Sequence, residues 1–357
     1  MKMTRTNLII GAILALILPL VLQSFGNAWV RIADMALIYV MLALGLNIVV
    51  GFAGLLDLGY VAFFAVGAYT YGLMASPQLT DAFPAIAAMF PEGLHMPLWL
   101  ILPVGAAVAG LFGMLLGAPT LKLRGDYLAI VTLGFGEIIR VFLNNLDHPV
   151  NITNGPKGLN QIDSLKFFGI DLGRPLTIGN FEIASVSLYY YLFLVLVVLS
   201  VVICHRMELS RVGRAWMAIR EDEIAAKAMG INTRNMKLLA FGAGATFGGV
   251  SGTLFAAFQG FVSPESFSLM ESVMIVAMVV LGGIGHLPGV ILGAVLLSAL
   301  PEVLRYLAGP LQAMTGGRLD SAILRQLLIA VAMIVIMLMR PRGLWPSPEH
   351  GKSLKAK

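Results

Sequence analysis

Two carboxylate–arginine pairs sit inside apolar stretches of this 357-residue chain. Glu137 and Arg140 stand three residues apart in the stretch 127–145, and Glu302 and Arg305 repeat the spacing within 288–308. Residues at i and i+3 share a helix face, so each pair can neutralise itself locally. Charge in hydrocarbon is costly and marks either a polar route or a clamp between helices. Local pairing favours the clamp; the functional alternative places Glu137 and Arg140, with Asp57, on a translocation route. Asp57 lies in a glycine-rich turn, where a short carboxylate also serves to cap a helix start. Glu271 opens another apolar stretch, a position that a helix dipole favours. Asn144, Asn145, Asn151 and Asn154 offer amides to a solute or a partner, and serve turns equally well. The five histidines are scattered and Cys204 is the single cysteine. Neither a metal-ligand spacing, nor an intramolecular disulfide, nor a clustered acid–base constellation follows from such a set. The phosphate-binding pattern GxxxxGK[ST] does not occur. No catalytic residue, metal or cofactor is expected, and any ATP must be bound by another chain.

The densest charge lies elsewhere, in RVGRAWMAIREDEIAAKAMGINTRNMKLLAF, Arg211–Phe241. Arg214–Ile219 can form a short helix with Trp216, Met217 and Ile219 as its apolar residues. Glu221–Met229 can form a second, with Glu221, Asp222 and Glu223 at the end where a helix dipole favours negative charge. Ile224, Ala228 and Met229 give that helix an apolar face. Gly230 fits the position after the last turn, where positive φ is needed. A short helix with a small apolar face and charged flanks suits a groove in a partner protein. A place on lipid headgroups is the alternative, against which the three acids argue.

These segments need a scaffold, and composition names its solvent. Hydrophobic residues make up 58% of the chain and charged residues 12%, against roughly 25% charged in average soluble domains. Hydrocarbon accommodates such a surface and water does not. Apolar runs fall near 8–25, 33–51, 58–76, 97–118, 127–145, 186–205, 237–259, 268–285, 288–308 and 321–339. Each approaches the ~20 residues that ~30 Å of hydrocarbon requires, so about ten transmembrane helices are expected. The first run follows Lys2 and Arg5 as a leader would, but it is long enough to span and is read as a helix. Asp57 and the glycines around it predict a break in the third. Gly242, Gly244, Gly248, Gly249 and Gly252 predict a close-packed side of the seventh. With the N-terminus inside, ten crossings return the C-terminus inside. Then 16 of the 24 Lys and Arg residues fall on inner segments and 5 on outer ones, as the positive-inside rule requires. The same bias explains the net charge of +5 without a nucleic-acid partner. The organisation expected is one transmembrane domain over 1–357, with an inner loop 206–237, an outer loop 146–185 and a polar inner tail 340–357.

The inner loop resembles the coupling loop of ABC-importer permeases, whose hallmark is Glu-Ala-Ala, three residues, then Gly. Ala225, Ala226 and Gly230 match it; Ile224 stands where Glu is usual, with Glu223 one residue earlier. AIREDEIAAKAMGIN narrows the resemblance to permeases of branched-chain amino acid importers, the LivM type in particular. GFAGLLDLGYVAFFAVGAY (Gly51–Tyr69), LKLRGDYLAIVTLGFGEIIR (Leu121–Arg140), TNGPKGL (Thr153–Leu159), VLGGIGHLPGVILGA (Val280–Ala294) and RPRGLWP (Arg340–Pro346) extend it along nearly the whole chain. The resemblance implies an all-α integral membrane protein with a ten-helix permease fold related to type II importers. It implies a coupling loop between helices six and seven, carrying Arg214, Arg220, Glu221, Glu223, Ala225, Ala226 and Gly230. Its implied partners are a LivH-like second permease, two cytoplasmic ATP-binding subunits, a periplasmic amino-acid-binding protein and membrane lipid. The implied location is the bacterial inner membrane, with both termini cytoplasmic. The implied activity is ATP-driven, high-affinity import of Leu, Ile and Val by alternating access, with hydrolysis on partner chains. Related permeases for urea or short amides are one alternative. A stand-alone ion-coupled transporter using Glu137 is another, and a membrane-embedded enzyme a third. Gly230→Pro or Ala226→Glu is expected to leave insertion intact and to uncouple ATP hydrolysis from transport.

Overall fold

A computed structural model describes residues 5–314 except 92, 121–122, 124, 168–169 and 179–180; beyond them it describes 327, 330–331, 334–335, 338–339 and 343–345. The first nine apolar runs became helices. In chain order the helices are α1 (Arg5–Phe25), α2 (Asn27–Leu46), α3 (Val61–Met74), α4 (Gln78–Ala82), α5 (Pro84–Met89), α6 (Leu98–Thr120) and α7 (Asp126–Asn145). They continue with α8 (Ser185–Leu209), α9 (Arg211–Glu221), α10 (Glu223–Ala228), α11 (Thr233–Gln259), α12 (Leu269–Gly282) and α13 (Leu287–Met314). Five stretches among the described residues are long and apolar enough to cross a membrane: Asn27–Phe52, Leu98–Thr120, Ser185–Leu209, Thr233–Gln259 and Leu287–Leu304. The tenth run, 321–339, lies largely outside the described residues, as does Arg305's side chain; the described part of that run is helical.

The expected break around Asp57 is present. α2 widens into a π-helical turn, Asn47–Phe52, and regular helix resumes only at Val61. α3 and α12 have 14 residues each. At 1.5 Å per residue each rises about 21 Å, short of ~30 Å of hydrocarbon.

α11 is the axis of packing, against α6 on one side and α2 and α3 on another. Its glycines explain the closeness. A Cβ on Gly249 would meet Gly105 O at 2.5 Å, and one on Gly252 would meet Phe64 O at 2.0 Å. The glycines therefore serve two faces, not the one side expected. Gly242 and Gly249 admit α6, while Gly244, Gly248 and Gly252 admit α2 and α3. Backbones this close gain dispersion contacts that no lipid chain could replace. Phe64, Phe255 and Phe267 fill the remaining space with ring centroids 5.1–6.2 Å apart. Tyr60 donates its hydroxyl to Gly244 O at 2.8 Å.

The all-α expectation needs one correction. The 146–185 connection holds two antiparallel ribbons, β1 (Lys166–Phe167) with β2 (Ile170–Asp171) and β3 (Leu176–Ile178) with β4 (Phe181–Ile183). The connection is tied down: Leu159 and Val262 exchange backbone hydrogen bonds of 2.7 and 3.0 Å, and Asp163 N donates to Ala75 O at 2.8 Å. Backbone groups that leave the helices thus find partners on the bundle, as buried N–H and C=O groups must.

Candidate functional site

The loop 206–237 holds two short helices, α9 and α10, between the end of α8 and the start of α11, each begun by a side-chain cap. Ser210 Oγ accepts from Gly213 N at 3.1 Å and starts α9. Asp222 Oδ1 accepts from Ile224 N and Ala225 N at 2.8 and 3.0 Å and starts α10. Of the three acids expected at that helix start, Asp222 is the cap, the residue type best suited to it. Glu221 closes α9 instead. α10 ends at Ala228; Gly230, just beyond it, has the positive φ expected, 85°, and Asn232 Oδ1 caps α11 through Asn235 N at 3.1 Å.

One face of this unit is anchored. Trp216 is fully buried, and its indole donates to Met236 O at 2.7 Å. Lys237 is buried at the start of α11 and forms an ion pair with Glu223 at 2.6 Å. Arg220 donates to Gly51 O, on the π-turn of α2. Burial lowers the Arg220 pKa and the Glu221 charge opposes that shift. An open cleft of about 280 Å³ lies between the unit and the bundle, lined among others by Gly54, Leu55, Asp126, Ile219 and Arg220.

The other face is exposed. Ile224 and Met229 keep 69% and 84% of their surface in solvent, and Ala225, Ala228 and Gly230 are exposed beside them. Arg214 and Glu221 are exposed at its border, with Arg214 donating to Leu209 O at 2.8 Å. The seven residues singled out in sequence thus divide. Arg214, Glu221, Ala225 and Gly230 are exposed; Arg220 and Glu223 hold the unit to the bundle, and Ala226 is buried. The expectation that Ala226→Glu acts on coupling alone is revised, because Ala226 is 4% exposed and a carboxylate there would be buried. Proline at Gly230 is equally disruptive, since its ring fixes φ near −65°.

The three residues offered as a translocation route do not converge with this loop into one site. Arg140 Nε pairs with Glu137 at 3.0 Å, and Arg140 Nη1 reaches Glu265 at 3.4 Å. Glu265 belongs to the 3-10 turn Pro264–Phe267 before α12, so the pair is part of a clamp between two elements. Asp57 is buried and accepts from Gly59 N at 2.9 Å. It shapes the turn before α3; that helix has no side-chain cap. Glu271 accepts from the Tyr39 hydroxyl of α2. The asparagines are spent on backbone: Asn144 and Asn145 donate to Arg140 O and Val141 O, and Asn151 with Asn154 closes a turn. Among the described residues no cluster of three metal-ligating side chains occurs.

Comparison with known sequences agrees with the architecture. The family model described as the permease component of branched-chain amino acid transport systems matches residues 28–337. The chain belongs to this family. The permease is 41% identical to the high-affinity branched-chain amino acid transport system permease protein LivM of Escherichia coli K12, over 91% of its own length and 72% of that relative. It is 42% identical to LivM of Salmonella typhimurium, over 92% and 72%. It is 25% identical to LivH of Escherichia coli K12, over 88% and 93%. No solved structure matches it.

Sequence reading missed two parts of the permease's site. The first is the inward half of the loop: Trp216 and Lys237 look like ordinary members of an amphipathic run until their partners, 20 and 14 residues away, are known. The second is the ending RPRGLWP. Leu344 N and Trp345 N donate to Leu281 O and Gly282 O at 2.8 and 3.1 Å, and His286 Nδ1 contacts Trp345 O at 2.9 Å. Gly343 at φ 85° turns the chain into this contact. In sequence RPRGLWP carried only the resemblance to the family, with no signal of what it would touch.

Proposed function

We propose that this chain is a transmembrane permease subunit of an ATP-driven, high-affinity importer of Leu, Ile and Val. It forms half of the translocation pathway and takes its drive from ATP-binding subunits docked on α9 and α10. The observation that carries the proposal is the two-sided build of 206–237. Caps, a buried tryptophan and an ion pair hold one face, while Ile224 and Met229 stand in water on the other. A rigid helix presenting an unpartnered apolar face suits a groove on a motor protein. Names of the relatives supply the substrate class: LivM and LivH are both described as high-affinity branched-chain amino acid permeases.

The single permease domain has ten spans, a fold related to type II importers, and both termini on the cytoplasmic side of a bacterial inner membrane. The charge bias of the sequence supports that orientation. The short α3 and α12 complete their spans with the non-helical backbone beside them, which is tolerable where protein covers it; Gly51–Ala53 and Gly283 are buried. A LivH-like permease completes the pathway, a periplasmic binding protein delivers the amino acid, and lipid surrounds the rest. The chain binds no nucleotide and no nucleic acid. Ion coupling through Glu137 is disfavoured because Arg140 already neutralises it and has a second carboxylate, Glu265, in reach.

The test is leucine uptake into vesicles holding ATP, with no ion gradient, with and without the partner subunits. Uptake that requires ATP and the partners is expected, unaffected by excess urea. Uptake by this chain alone, driven by an ion gradient, refutes the reading.

A further inference from the structure

Three chain segments far apart in sequence meet at one point beneath α9. Arg220 of α9 donates to Gly51 O in the π-turn of α2. Asn47, at the start of that turn, accepts from Gly285 N in the turn between α12 and α13 through its side-chain oxygen at 2.9 Å. The same α12–α13 turn receives the chain ending at Leu344 and Trp345.

The meeting is built in two ways. First, the π-turn leaves carbonyls for others to satisfy. Ala53 N donates to Ile48 O and Leu55 N to Val49 O, so Ile48 O and Val49 O are served by backbone, and Gly51 O by the Arg220 guanidinium. A cation at a helix C-terminus also meets the negative end of the dipole. Second, three glycines make the room. A Cβ on Gly54 would stand 2.7 Å from Arg220 Cγ, one on Gly285 2.8 Å from Arg220 Nη1, and one on Gly51 2.1 Å from Asn47 Oδ1. Gly54 and Gly285 also have φ of 69° and 82°, which side chains other than glycine adopt at a cost.

We propose that Arg220 and Asn47 form the link through which movement of α9 and α10 reaches α2 and the α12–α13 turn. Arg220 is assigned as a positioning residue: it ties the docking unit to α2, whose ladder is loosened into a π-turn. Such turns recur at functional sites. The open cleft on the same side, bordered by Gly54, Leu55, Ile219 and Arg220, leaves space next to the link on the bundle side of the unit. Since Asn47 engages Gly285, a change of register at Gly51 shifts α12 and α13 with α2. This inference rests on the proposed ATP-driven reading.

The experiment is the amount of leucine taken up per ATP hydrolysed by the complete importer in proteoliposomes. Arg220→Met removes the donors and keeps the stem. The expected result is an assembled complex that hydrolyses ATP within about threefold of the parent rate while uptake per ATP falls at least tenfold. Arg220→Lys, which keeps a cationic donor, recovers at least a third of the ratio. Asn47→Ala, on the far side of the link and away from the docking face, lowers the ratio in the same way. An Arg220→Met importer with the parent's ratio overturns the link. If Arg220→Met fails to assemble, Asn47→Ala decides: the parent's ratio there overturns it, and a tenfold loss supports it. Absence of ATP-dependent uptake by the parent importer refutes the functional reading itself, a different result from either.

Discussion

Replacing both Ile224 and Met229 by Glu separates docking from folding. With 69% and 84% of their surface in water, neither side chain contributes much to the permease alone, and surface changes of this kind stay within about 0.5 kcal/mol. Full burial of an isoleucine or methionine side chain is worth about 1.5–3 kcal/mol. The fraction still exposed here leaves roughly 1–2 kcal/mol for each to gain in a groove, about 2–4 kcal/mol together. At 1.4 kcal/mol per factor of ten, the double variant loses about 30- to 700-fold in affinity for the ATP-binding subunits. Two carboxylates placed in an apolar groove push the loss toward the upper figure. The assay is equilibrium binding of the purified ATP-binding subunits to the permease complex in nanodiscs, with melting of the permease as the control. Affinity within threefold of the parent, at unchanged melting, refutes the assignment of this face.

Other outcomes follow from the packing and the charges. Gly252→Ala places a Cβ 2.0 Å from Phe64 O and 2.7 Å from Ala68 N, all backbone, so the purified permease should lose about 1–3 kcal/mol of stability. Gly134→Ala meets nothing within 4 Å and should melt at or above the parent temperature; equal melting of the two variants contradicts the account of α3 against α11. Glu137→Gln should change stability by no more than ~1 kcal/mol and leave uptake intact, because Glu265 remains to Arg140. A tenfold loss of uptake with unchanged melting would move Glu137 to the translocation route. Outside the bundle, the Ser164 hydroxyl, with Gly173 N, holds the Asp171 carboxyl below its ordinary range against the opposing effect of burial. A depressed carboxyl stabilises the fold above its ordinary pKa near ~4 and ceases to as pH falls through its folded value. Hydrogen exchange at Gly173 should therefore be flat from pH 7 to 5 and accelerate, after correction for intrinsic rates, only below about pH 4. Acceleration already at pH 6 contradicts this.

The helices were legible because their signal is periodic and solvent-driven. The runs 186–205 and 97–118 appear as Ser185–Leu209 and Leu98–Thr120. Local chemistry was legible too: Asp57 and its glycines marked the interruption after α2, and Gly230 marked the end of α10, because positive φ and short side-chain acceptors act within a few residues. Partners at long range were not. Arg220 finds Gly51 across 169 positions, and Lys237 reads as a charged helix start until Glu223 is placed against it. The ribbons of 146–185 have strands of two or three residues, too short for any alternation to register. The two-faced distribution of glycines on α11 escaped for another reason: spacing tells which residues share a face only once the neighbours are known.

The central claim is that α10 presents its outer face to a motor on the cytoplasmic side, and cysteine accessibility tests it directly. Cys204 is the sole native cysteine and is buried, so Met229→Cys adds one exposed thiol against a silent background. In intact cells with the motor subunits removed, a membrane-impermeant maleimide should leave Cys-substituted permease unlabelled, while inside-out vesicles of the same cells label fully. Adding back the ATP-binding subunits should then protect the thiol at least tenfold. Labelling from the outside of intact cells, or labelling in the vesicles that the ATP-binding subunits leave unchanged, contradicts the account.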